Sequence, residues 1–71
     1  PTEDHMEDRE KLKHLMEHWI EHNREHADEF RQWADKANGF GESAVHDDIM
    51  EAVEHLNKAN ESLNKASKRW V

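Results

Sequence analysis

The sequence predicts an all-α fold, an antiparallel helical hairpin of which two copies form a four-helix bundle. Apolar residues recur at alternating spacings of four and three over two long stretches, the pattern of helices that pack side by side. One cluster of helix-breaking residues, Asn38 to Gly41 with glycine at positions 39 and 41, separates the two stretches. The 71-residue chain has room for a single domain, residues 1–71.

We expect the first helix at about residues 3–37. Thr2 or Asp4 is a candidate N-cap, and Gly39 is a candidate for the left-handed residue that ends the helix. The residues predicted to face other helices are Leu12, Met16, Trp19, Asn23, His26, Phe30, Trp33 and Ala37. Leu15 and Ile20 widen this apolar stripe.

After a turn at residues 38–42, we expect the second helix at about residues 43–70. Ser43 is its candidate N-cap, and Lys65, Lys68 and Arg69 occupy its last turns, where the helix dipole favours positive charge. The residues predicted to face other helices are Val45, Ile49, Ala52, Leu56, Ala59, Leu63, Ala66 and Trp70. A turn of about five residues forces the two helices to run antiparallel.

A lone hairpin cannot cover both apolar stripes, and so small a chain needs additional stabilisation. Below about 70–80 residues one core rarely stabilises a fold without a metal, disulfides or a partner chain. The chain has no cysteine, which leaves a metal ion or a partner. We expect a homodimer; an isolated marginal hairpin and one helix pair of a larger complex are the alternatives.

The charge balance excludes several classes of partner. Lys and Arg number 10 against 17 Asp and Glu, a net charge of -7. Phosphate recognition needs a basic patch, so we expect no nucleic-acid partner and no docking on an anionic membrane. No apolar run approaches the roughly 20 residues that span a bilayer or resembles a signal peptide. The predicted location is the cytoplasm.

Histidines carry the strongest functional signal. The chain has 7 of them, and His14, His18, His22 and His26 follow one another at intervals of four. A pair spaced in this way projects two imidazoles from one helical face, an arrangement suited to zinc, cobalt, nickel or copper. Without cysteine, zinc, nickel and cobalt are the favoured ions. Because each step of four drifts by about 40° around the helix, we expect His14 and His18 to be exposed, His22 on a flank and His26 at the edge of the apolar stripe.

Folding the hairpin predicts a composite histidine site. With the turn centred between Phe40 and Gly41, positions whose numbers sum to about 81 lie level, which places His26 beside His55. The candidate metal ligands are therefore His22, His26, His55 and, as a fourth ligand, Glu29, with His18, Glu51 and Asp48 as further candidates. The predicted cofactor is a divalent transition metal, and the predicted function is its storage, buffering or delivery.

Other functions remain open at this point. The histidines could form a solvated face paired with carboxylates, in a non-catalytic homodimerisation module or one that docks an unknown protein. A pH-responsive assembly is another alternative, because seven protons added to a charge of -7 bring it near zero. An enzyme is the least favoured, since a two-helix chain offers little substrate pocket and has no phosphate loop or nucleophile motif.

Two asparagines lie on or near the apolar stripes at similar levels. Asn23 and Asn60 could form an Asn–Asn or Asn–His hydrogen bond that sets the helix pairing, which is the interpretation we favour. Alternatively, Asn23 could orient a metal-bound histidine.

The block from His18 to Ala34 fits the pattern H-W-x-x-H-N-x-x-H-A-x-x-F-x-x-W-A. In this it resembles a group of small prokaryotic histidine-rich helical-hairpin proteins. The second helix, with Ala52, Ala59 and Asn60, is similar to the second half of that group in a more generic way. The resemblance implies a helical hairpin with a candidate histidine site, and it implies no particular activity.

Overall fold

The structure, a computed structural model, describes the backbone of residues 2–69 and the side chains of residues 7–69. It consists of two helices, α1 (Thr2–Gly39) and α2 (Ser43–Ser67), packed against each other in a rod of 58 × 15 × 15 Å. The predicted all-α class and the packing of two helices are confirmed. With a rise of about 1.5 Å per residue, the 38 residues of α1 span the rod, and its first third extends beyond α2.

The turn is built around Gly41 and not around Gly39. Gly41 has a φ of 89°, whereas α1 continues through Gly39. The Glu42 amide donates to the Ala37 carbonyl at 2.9 Å and the Gly41 amide donates to Asn38 at 3.2 Å, the bond pair of a Schellman motif. The prediction of Gly39 as the left-handed residue was wrong, because α1 runs two residues further before the chain reverses.

The start of α2 also differs from the prediction. Ser43 is the first helical residue, and Glu42 occupies the capping position without a side-chain capping bond. The Glu42 carbonyl accepts the first bond of the helix from the His46 amide at 3.0 Å. The predicted caps Thr2 and Asp4, and the predicted contact residue Trp70, lie outside the residues whose side chains are described.

The helices pack through a stripe of α1 that is rotated from the predicted one. The α1 residues that α2 buries or half-buries at alternating spacing are Met16, Ile20, Asn23, Ala27, Phe30, Ala34 and Ala37. Trp19 and Trp33, which were predicted to face other helices, lie outside this contact and are 40% and 56% exposed. The alanines take the central positions because small side chains let two helix backbones approach closely.

The same rotation occurs on α2. Its buried or half-buried residues at alternating spacing are His46, Ile49, Val53, Leu56, Asn60, Leu63 and Ser67, with Val53 the most buried. Val45, Ala59 and Ala66, which were also predicted to face other helices, are exposed in the single hairpin. Among the described residues, every second member of the predicted stripes therefore lies between the two helices, whereas Trp19, Trp33, Val45, Ala59 and Ala66 remain on the surface.

One hydrogen bond shows which residues of the two helices lie side by side. The side-chain amide of Asn23 donates to Asn60 Oδ1 at 3.0 Å. The two residue numbers sum to 83, whereas the sequence predicted that residues lying side by side have numbers that sum to about 81. The favoured interpretation, an Asn–Asn hydrogen bond between the helices, is confirmed.

Over the described residues, neither helix combines the length and the apolar composition that a membrane-spanning helix needs.

Candidate metal centre

Three histidines and a phenylalanine form a continuous ladder of rings along α1. The rings of His18 and His22 are nearly parallel, with centroids 5.6 Å apart. His22 and His26 approach edge to face with centroids 4.3 Å apart, and the His26 ring lies 6.0 Å from that of Phe30. The i, i+4 spacing therefore places the His22 and His26 rings in contact, as the sequence predicted.

Exposure along the ladder follows the drift expected for an α-helix. His14, His18 and His22 are exposed, whereas His26 is half-buried. Because His26 lies beside Phe30, the ladder ends at the border of the apolar surface. Of these four histidines, His26 is therefore the one that lies between the exposed histidines and the apolar residues of α1.

His55 lies apart from this ladder. Its side chain is 70% exposed, and its Nε2 is 3.8 Å from Glu51 Oε1, one turn earlier on the same helix. Within a single chain, residues 7–69 contain no group of three or more His, Asp or Glu side chains placed to hold one metal ion. The hairpin thus brings His22 and His26 together, while His55 and Glu51 form a pair of their own.

The remaining candidate ligands, Glu29 and Asp48, lie at an open groove of about 530 Å³ between the C-terminal half of α1 and the start of α2. Apolar side chains form the rest of its lining: Phe30, Trp33, Val45, Ile49 and Ala52. The Lys36 ammonium lies 4.2 Å from the centroid of the Trp33 ring, a cation–π contact at the edge of the groove.

The groove is one section of a longer apolar face made of two rows. On α1 the row recurs every seven residues and is mostly bulky: Leu12, Trp19, His26 and Trp33. On α2 the row also recurs every seven residues and is mostly small: Val45, Ala52, Ala59 and Ala66. We call these the bulky row and the small row. A strict seven-residue repeat is the pattern of a helix-packing surface. The apolar stripes predicted from the sequence contain both these rows and residues that pack between α1 and α2.

Comparison with known proteins places the chain in a family. The sequence model of a domain of unknown function, DUF8180, matches residues 12–70. The chain belongs to the DUF8180 family. No curated protein matches it, and no solved structure matches it either.

The match covers the part of the fold that carries the features described above. It begins at Leu12, the first residue of the bulky row, and extends past Ala66, the last residue of the small row. His22, His26 and His55 all lie within it. The DUF8180 region of this chain therefore contains the packed part of the hairpin together with the candidate metal-binding histidines and the exposed rows.

Proposed function

We propose that this DUF8180 chain binds a divalent transition metal, zinc, nickel or cobalt, for storage, buffering or delivery, and that His22 and His26 are its primary ligands. The proposal depends on the 4.3 Å approach of the two rings. Imidazole nitrogens bind zinc at about 2.0–2.1 Å, so two ligands of one ion must lie side by side. The centroid distance of 4.3 Å places the two rings side by side on one face of α1.

The nature of the other donors supports this class of metal. The chain has no cysteine, the His18 ring centroid lies 5.6 Å from that of His22, and Glu29 follows His26 by three residues. A set of imidazoles and carboxylates suits Zn(II), Ni(II) or Co(II) better than Cu(I), which prefers sulfur.

We also propose that the functional form is a homodimeric four-helix bundle. The chain exposes 5804 Å² of surface, whereas a compact monomer of 8.5 kDa exposes about 4,700 Å². An excess of about 1,100 Å² over a compact shape agrees with the elongated rod and its exposed rows. It exceeds the roughly 800 Å² that each partner buries in a typical stable interface. A second copy is large enough to cover the rows.

Titration of the untagged protein with zinc and nickel, followed by calorimetry and native mass spectrometry, tests the metal proposal. We expect stoichiometric binding that is lost in the His22→Ala/His26→Ala variant. The matched control is His14→Ala, which removes an exposed histidine two turns before His22 and should leave binding intact. Equal binding by the double variant and the control would refute the assignment.

A second candidate function is protein interaction without metal, in which the histidines form a solvated face. The exposed His55–Glu51 pair favours it, because i, i+4 contacts with carboxylates are what solvated helix histidines form. Under this function the His22→Ala/His26→Ala variant keeps its oligomeric state and its partners, and metal leaves both unchanged. Measuring the mass of wild type and variant with and without zinc separates the two candidates.

A further inference from the structure

We propose that the metal site is shared between two copies of the chain, with His22 and His26 supplied by one copy and His55 by the other. This inference rests on the proposed metal-binding function and names the group that completes the site. Two imidazoles fill only two of the four positions around a tetrahedral zinc ion. Because residues 7–69 of one chain place no third His, Asp or Glu side chain with this pair to hold one ion, we look for the third ligand on a second chain.

Within one hairpin His55 cannot reach the pair. His22 lies one helical position outside the bulky row of α1, and His55 lies one position outside the small row of α2. The two histidines consequently lie on opposite outer edges of the same face, with both rows between them. The 70% exposure of the His55 side chain and its contact with Glu51 agree with this position.

The shapes of the two rows favour a second copy as the partner. Trp19 and Trp33 project from the bulky row, 40% and 56% exposed, while Ala52, Ala59 and Ala66 form a low surface beside them. Rotating a second hairpin by 180° about an axis parallel to the helices places each bulky row over the other copy's small row. One operation makes both contacts, as a two-fold interface requires.

The other two-fold arrangement, with α1 against α1, fits less well. It sets the tryptophans of the two bulky rows against each other and leaves the alanines facing alanines. Packing at interior density needs large side chains opposite small ones. Complementarity of size therefore selects the arrangement in which α1 of one copy lies beside α2 of the other.

That arrangement brings His55 of the partner subunit to the His22–His26 pair. Rotation about an axis parallel to the helices leaves the height of every residue along the rod unchanged. The alignment of α1 with α2 shown by the Asn23–Asn60 bond therefore also holds between α1 of one copy and α2 of the other. The partner's His55 then lies level with Asp28, between His26 and Glu29. The outer edge of α2 that carries it faces the outer edge of α1 that carries His22.

Charges along the same edges agree with this placement. With the same alignment between the copies, Lys36 lies within one residue of the position directly beside the partner's Asp48. Both belong to the groove region, Lys36 through its contact with Trp33 and Asp48 as part of the lining. Opposite charges at the flanking positions of packed helices set partner choice and orientation. A site of three imidazoles with Glu29 or water as fourth ligand is an ordinary zinc coordination.

Mixing variants tests whether the site is shared. His26→Ala and His55→Ala are each expected to weaken zinc binding by about a hundredfold, since losing a group that merely orients a ligand already costs 10- to 100-fold. When the two variants are unfolded and refolded together, half of the dimers are mixed. Each mixed dimer regains one complete site, so about one quarter of the wild-type tight sites should reappear.

Each contrary outcome has a separate meaning. Full affinity in His55→Ala, or a refolded mixture with no tight sites although both variants remain dimeric, would overturn the shared site while leaving the His22–His26 proposal in place. Wild-type protein that binds no zinc would overturn both. His26→Gln and His55→Gln, which keep side-chain size, repeat the test if an alanine variant loses its helical circular dichroism.

Discussion

Asn23 donates its side-chain amide to Asn60 Oδ1 at 3.0 Å, and Asn60 in turn donates to the main-chain carbonyl of Ile20 at 3.1 Å. The two side chains are half-buried in the contact between the helices. Asn60 can make both bonds in only one register, because sliding one helix past the other would separate amide and carbonyl. A polar pair at a helix contact lowers stability somewhat but specifies how the two helices align.

Removing one member of this pair should destabilise the hairpin. Asn60→Ala leaves the Asn23 amide half-buried without its acceptor, and we expect the free energy of unfolding to fall by about 1–2 kcal/mol. Urea denaturation measures this. Asn57→Ala, an exposed change on the same helix, serves as the control and should stay within about 0.5 kcal/mol of wild type. An equal loss in both variants would contradict a specific role for the bond.

The two glycines of the turn should respond in opposite directions to alanine. Gly41→Ala should cost about 1–2 kcal/mol, because Gly41 has a φ of 89°, where an L side chain is strained. Gly39→Ala should instead stabilise by about 0.5–1 kcal/mol, since Gly39 is helical and alanine restricts the unfolded chain. A Cβ at either position meets nothing within 4 Å, so thermal unfolding compares backbone effects alone.

Close approach of the helices at Ala34 should make that position intolerant of larger side chains. Ala34 is 0% exposed, and Ala34→Leu should destabilise the protein by about 1–3 kcal/mol through overpacking. Ala44→Leu, at an exposed position in the first turn of α2, is the matched control and should be near neutral. Chemical denaturation of both variants provides the comparison, and a tolerated Ala34→Leu would mean that the helices can separate.

Self-association should depend on the exposed rows. Trp33→Ala removes the most exposed tryptophan of the bulky row, and we expect the dimer dissociation constant to rise about thirtyfold, the equivalent of about 2 kcal/mol at an interface anchor. Ala52→Glu places a carboxylate in the small row and should act in the same direction. Sedimentation equilibrium measures both. Gln32→Ala, an exposed neighbour of Trp33 outside the row, should leave the constant unchanged.

Zinc and dimerisation should be coupled. If one site draws on both copies, zinc binds the dimer more tightly than the monomer, and reciprocity requires that zinc lower the dissociation constant of the dimer. We expect at least a tenfold decrease, about 1.4 kcal/mol, measured by sedimentation with and without the ion. Magnesium, which prefers oxygen ligands, should have no effect, and His55→Ala should abolish the zinc effect. A dissociation constant insensitive to zinc in wild type would exclude coupling.

Much of the local structure could be predicted because it depends on short-range chemistry. The two helices follow from uninterrupted periodicity and a single break, and the contact between His22 and His26 follows from a spacing of four. The exposure of His14 and His18 follows from the drift of that spacing. The Asn23–Asn60 bond was predicted because two polar residues fell at one level on otherwise apolar stripes.

The sequence by itself thus determined the helices, the position of the break and the histidine ladder, since each depends on residues within a few turns of one another. Only the tertiary structure decided which part of each wide apolar stripe the helices share. Ala27 and Ala34 lie between them, while Trp19 and Trp33 remain outside. The physical reason is that periodicity shows which side of a helix is apolar but does not distinguish between adjacent positions on that side. Which of these positions lies in the contact depends on how closely the two backbones can pack.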